Sequence, residues 1–143
     1  MNRNSYVSAM LACAAVTLSA GAFAQVAVIV NPKNTTASMT ADQVTSIFLG
    51  KSNTLPSGST AALVDQADSA AVREQFYTKV TGKSAAQVKA AWSRLVFSGK
   101  ATPPKEVGNS AEVKKFVASN PDAIGYVEKS AVDGTVKSVL TVD

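Results

Sequence analysis

The apolar positions fall into short blocks whose spacing alternates between strand and helix periods. Val26 to Val30 is an unbroken apolar, largely β-branched run that Asn31-Pro32 ends, as expected of a strand buried on both faces. A polar loop, Lys33 to Met39, follows. Thr40-Ala41-Asp42-Gln43 then has capping-box spacing and opens a helix with Val44, Ile47 and Phe48 on one face. Pro56-Ser57-Gly58-Ser59 reads as a turn before a second strand, Ala61 to Asp65. Ser69 stands where it can cap a helix whose Val72, Phe76 and Val80 recur every fourth residue up to Gly82.

Ser84-Ala85-Ala86-Gln87 is a second capping box. The helix behind it aligns Val88, Ala91, Trp92, Leu95 and Val96 and stops near Gly99. Thr102-Pro103-Pro104 predicts an extended loop. Ser110 caps a helix through Val113, Phe116 and Val117, which Asn120-Pro121 closes. Ala123 to Val127 and Thr135 to Val142 read as strands around a turn at Asp133-Gly134, with Tyr126 near a sheet edge. The order β-α-β-α-α-α-β-β predicts an α/β fold, a small central sheet flanked by helices, with neither internal repeat nor second domain.

The first residues change the domain boundaries. Arg3, an apolar or small stretch from Val7 to Ala20, and Ala22-Phe23-Ala24 before Gln25 fit a secretory signal peptide over residues 1–24. The apolar stretch is too short for a membrane span. Residues 25–143 then form one domain, expected in the periplasm after cleavage behind Ala24. The single cysteine, Cys13, lies in the leader, within a poor lipobox, and the chain has no histidine. Thiol nucleophiles, Ser-His triads and the usual zinc sites are therefore excluded from the domain, and we read it as no enzyme, with no cofactor and no metal. The formal charge of +4 is spread among few aromatics, so nucleic acid is not an expected partner.

One triplet occurs twice, Gly50-Lys51-Ser52 and Gly82-Lys83-Ser84. A phosphate-cradling P-loop needs a further glycine five residues earlier, after a strand. Thr45 and Tyr77 hold those positions, both inside predicted helices. Gly50, Gly82 and Gly99 are better read as left-handed helix stops, with Lys51, Lys83 and Lys100 beside the negative ends of the helix dipoles.

Taken together, "ADQVTSIFLGK" (41–51), "ALVDQADSAAVREQFY" (62–77), "FSGKATPP" (97–104) and "NPDAIGYVEKSAV" (120–132) resemble the phosphate-binding component of phosphate ABC importers. The likeness is greatest to small, stand-alone phosphate ABC transporter substrate-binding protein-like relatives. The resemblance implies a single lobe of a type II periplasmic binding protein, and a function in binding phosphate or another small oxyanion, weakly or with a partner. In the family an Arg-Ser-Asp-Gly-Ser-Gly-Thr turn holds the phosphate; here the matching segment is Asp65-Gln66-Ala67-Asp68-Ser69-Ala70-Ala71. Asp65 stands at the arginine position and Ala71 at the threonine, which removes bidentate charge-assisted bonds and adds repulsion.

On this resemblance the oxyanion site comprises Gln66, Ser69, Ala70, Ala71 and Arg73. Arg73 either reaches an anion or pairs with Asp65, Asp68 or Gln66. The partners implied are the oxyanion, a membrane transporter or sensor, and a second copy in a homodimer. The alternative is a ligand-free interaction module that docks onto a membrane sensor, transporter or outer-membrane channel. Trp92 and Tyr126 are expected in the core, and Gly125 permits a close approach of backbone to a helix or a ligand.

Overall fold

A computed structural model describes residues 25–143; the leader reading lies outside the described residues. Five strands form one mixed sheet: β1 Val26–Val30, β2 Ala62–Gln66, β3 Lys105–Val107, β4 Ala123–Glu128 and β5 Lys137–Val142, in the order β3-β2-β4-β1-β5. β2 runs parallel to β3 and β4, whereas β1 runs antiparallel to β4 and β5. Four helices cover it: α1 Ala41–Phe48, α2 Ala71–Phe76, α3 Ala85–Phe97 and α4 Ser110–Ser119. The α/β class is as the pattern predicted. No described helix is long and apolar enough to cross a membrane.

Strand alternation sorts the core into two layers. Val26, Val28, Val30, Ile124 and Tyr126 face α1, α2 and the start of α3, where Phe48, Phe76 and Tyr77 join them. Ala27, Ile29, Val64, Ala123 and Val127 face α4, through Val113 and Val117. All five residues of β1 are buried, because helices lie on both sides of the sheet. Gly125 lies where β4 passes under α4. A Cβ there would stand 2.7 Å from a methyl of Val113 and of Val64, so the close approach is to a helix.

Both capping boxes form: the Thr40 and Ser84 hydroxyls accept from the backbone N–H of Gln43 and Gln87, and each glutamine carbonyl accepts the reciprocal bond. Gly50 and Gly99 are left-handed, with φ of 75° and 72°. The Lys51 and Lys100 N–H groups return to carbonyls five residues back, at 2.9 and 3.0 Å, so these glycines do stop helices. Gly50 also lets α3 approach, since a Cβ there would collide with Leu95 and meet Trp92 at 3.3 Å.

Five sequence expectations change. Ser69 caps nothing: the N-cap of α2 is Ala70, with no side-chain hydrogen bond. Ser110 is likewise no cap but the first residue of α4, whose N-cap is Asn109. The helix predicted to run unbroken to Gly82 widens into a π turn, Tyr77–Thr81. Residues spaced by four drift around an α-helix of 3.6 residues per turn, and the wider turn returns Val80 to the core beside Val72 and Phe76. The segment after Pro103-Pro104 is not all loop, because Lys105–Val107 adds β3 to the sheet edge. Tyr126 sits on the central strand β4 and is fully buried.

Candidate functional site

The end of β2 divides two neighbouring residues between the two faces of the sheet. Asp65 points to the α2 side and Gln66 to the α4 side, as the period of two requires. Parallel pairing of β2 with β4 (Ala62 with Ala123, Leu63 with Ile124) carries Asp65 beside Tyr126.

On the α2 face, the buried Asp65 carboxylate collects the donors around it. The Tyr77 hydroxyl donates to Oδ2 at 2.6 Å, and the Tyr126 hydroxyl donates to Oδ1. The Gln66 N–H also donates to Oδ1, at 2.8 Å. Arg73 Nε lies 3.6 Å from the same oxygen, and its Nη1 pairs with Asp68. The guanidinium also lies over the Tyr77 ring, 5.7 Å from its centre. Both phenols are pushed well above the usual tyrosine range, first by burial and then by the Asp65 charge. Phe76 stacks on Tyr126 at 4.1 Å and completes an aromatic floor with Phe48.

On the α4 face, Gln66 spends both amide hydrogens, on Ser110 Oγ at 3.1 Å and on the Tyr126 carbonyl at 2.9 Å. These bonds tie the end of β2 to the start of α4. An open cavity of about 470 Å³ lies there, lined by Gln66, Ser69, Ala70 and Ala71 on one side and by residues 108–111 on the other. The first turns of α2 and α4 both meet it, bringing two positively polarised helix ends together. The start of α4 is partly self-satisfied: Asn109 Oδ1 accepts from the Glu112 N–H at 3.0 Å, and the Glu112 carboxylate accepts from the Gly108 N–H at 2.6 Å. Lys114 lines the cavity but is held 2.9 Å from Asp133. Its hydrogen bond and those from Thr135 hold the Asp133 carboxyl far below the usual range. Glu128 contributes a carboxylate to the rim.

Of the five residues in the sequence-based site, four therefore share one cavity and one does not. Gln66, Ser69, Ala70 and Ala71 line it; Arg73 is buried on the opposite face against Asp65 and Asp68. Asn109 and Ser110 complete the cavity from a distant stretch of sequence; the sequence pattern marks Ser110 only as a helix cap, and does not mark Asn109, the actual cap, at all.

Comparison with known proteins agrees with this architecture. A candidate phosphate ABC transporter substrate-binding protein from Clostridium perfringens, with phosphate bound, superposes with a TM-score of 0.66 at 24% identity over 81% of this chain and 45% of that one. An ABC-type phosphate transport receptor from Vibrio cholerae gives a TM-score of 0.60 at 20% identity, over 81% of this chain and 46% of that one. PstS from Borrelia burgdorferi also gives 0.60, at 13% identity, over 81% of this chain and 47% of its own. The chain thus has the α/β fold of phosphate ABC transporter substrate-binding proteins and spans less than half the length of those structures. No protein-family model matches the sequence, and no curated protein does.

Proposed function

We propose that this chain is an exported, non-enzymatic, solute-binding-like protein that takes phosphate or another small oxyanion weakly at the cavity between the starts of α2 and α4. One observation carries the reading: Gln66, Ser69, Ala70 and Ala71 open onto the same cavity as residues 108–111, where the starts of α2 and α4 meet. The fold of the phosphate-binding structures supports it. Glu128 on the rim keeps affinity low by like-charge repulsion, and Arg73 contributes no direct charge because it is held by Asp65 and Asp68 on the opposite face. In this reading residues 1–24 are a signal peptide, residues 25–143 act in the periplasm, and a partner supplies the wall that the open cavity lacks.

The withdrawal of Arg73 favours a second reading, in which the domain has lost its ligand and docks onto a membrane sensor, transporter or outer-membrane channel. Thermal unfolding separates the two. An anion at tenfold excess over its dissociation constant stabilises by about 1.4 kcal/mol, or about 5 °C for a domain of about 120 residues. Phosphate or sulfate is expected to raise Tm beyond matched chloride. Ser69→Asp, at an exposed position, is expected to remove the gain without unfolding the protein. Equal melting temperatures across phosphate, sulfate and chloride would leave the docking reading in its place. Mass spectrometry of the exported protein tests the cleavage site behind Ala24.

A further inference from the structure

The apolar face of α3 outruns the core. Trp92 donates its indole N–H to the Phe48 carbonyl at 2.7 Å, and Leu95 packs on Gly50. Beyond them Val96 is 40% exposed and Phe97 is 94% exposed, the two large apolar side chains left in solvent among the described residues. Phe97 forms the lip of a cavity of about 280 Å³ whose apolar wall is Trp92, Val96, Pro103 and Pro104. A cavity of about 150 Å³ already admits a benzene ring, so this one has room for a phenylalanine side chain.

The charges around the patch are unevenly paired. Asp68 is shared between Arg73 and Lys89. Glu106 also lines the cavity, because alternation along β3 turns it toward α3 while Lys105 reaches Phe116 on the other face. Among the described residues Glu106 has no ion pair, and neither do Arg94 and Lys100, three residues before and three after Phe97. One patch thus carries an apolar knob flanked by two unpaired cations, next to an apolar-walled hole with an unpaired carboxylate. Knob and hole on the same surface are self-complementary about a two-fold axis.

We propose that a second copy of this chain occupies this surface: each Phe97 enters the cavity of the other copy, and Arg94 or Lys100 meets the other copy's Glu106. The surface is separate from the oxyanion cavity, so the proposal does not rest on the function proposed above. The patch is small, so the dimer is weak, with a dissociation constant of about 10–100 μM.

Sedimentation equilibrium without phosphate, from about 1 μM to about 1 mM protein, tests it. The wild-type mass is expected to rise toward twice the monomer. Phe97→Ala is expected to weaken association at least about tenfold, with Tm unchanged because the ring is exposed. Glu106→Lys is expected to weaken it further at low salt, and Glu106→Lys with Arg94→Glu and Lys100→Glu to recover part of the loss. A wild-type protein monomeric at about 1 mM, or a dimer indifferent to Phe97→Ala, would overturn the proposal and leave the cavity to a different occupant.

Discussion

Replacing Asp65 removes the acceptor on which the α2 face converges. Its carboxylate takes hydrogen bonds from Tyr77, Tyr126 and the Gln66 N–H and lies 3.6 Å from Arg73 Nε. The side chains of Arg73 and Asp65 are only 8% and 11% exposed, so solvent cannot take over either role. In Asp65→Ala the guanidinium keeps the exposed Asp68 as its one anionic partner, beside the Tyr77 ring, and two buried phenols lose their acceptor. Breaking a buried ion pair from one side costs about 3–5 kcal/mol, and the unsatisfied hydroxyls fall within the upper part of that range.

For a domain of about 120 residues each kcal/mol is about 4 °C, so Tm is expected to fall by about 12–20 °C. Asp65→Asn keeps the shape but loses the charge and one acceptor, and about 2–4 kcal/mol is expected. Urea unfolding of Asp65→Asn, Arg73→Met and the double variant isolates the pair, with a coupling energy of about 1–3 kcal/mol. An Asp65→Asn protein within about 0.5 kcal/mol of wild type would refute the view that a charged acceptor organises this face.

Other outcomes follow from the same packing. The raised Tyr77 and Tyr126 phenols stay protonated in the fold while unfolded tyrosines ionise near pH 10. Their contribution is therefore fully present below pH 10 and lost above it, at about 1.4 kcal/mol per pH unit for each phenol. Urea midpoints between about pH 9 and pH 12 check this, and the slope should flatten in Tyr77→Phe/Tyr126→Phe. Gly125→Ala drives a methyl to 2.7 Å from Val113 and Val64 and should cost about 1–3 kcal/mol. Val113→Ala in the same protein should cost less than it does alone, because the two changes share one space.

The leading α-helical and strand features were legible because their signals are local. Val26–Val30 is β-branched and apolar without interruption, and it became the strand buried on both faces. The capping boxes at Thr40 and Ser84 hold both of their bonds within four residues of chain. The glycines of the repeated triplet adopt the backbone that glycine alone takes without penalty, so helix termination could be read before any fold was known. β3 escaped notice because three residues with two charges carry no periodicity; β2 supplies the pairing that makes them a strand. Ser69 failed as a cap because the turn in which the Ala70 N–H returns to the Ala67 carbonyl places Ala70 at the helix start, against the local preference for serine there.

The amino-acid pattern by itself determined the α/β class, the faces of the helices and where they stop, since those depend on neighbours three to five positions apart. The distribution of Gln66 and Arg73 between opposite faces was decided by tertiary structure. Adjacent strand residues project to opposite sides of the sheet, and the occupant of each side is set by pairing across the chain: Tyr126 and Tyr77 around Asp65, Ser110 against Gln66. A buried charge settles where donors from distant segments converge, and no short stretch of sequence contains that convergence.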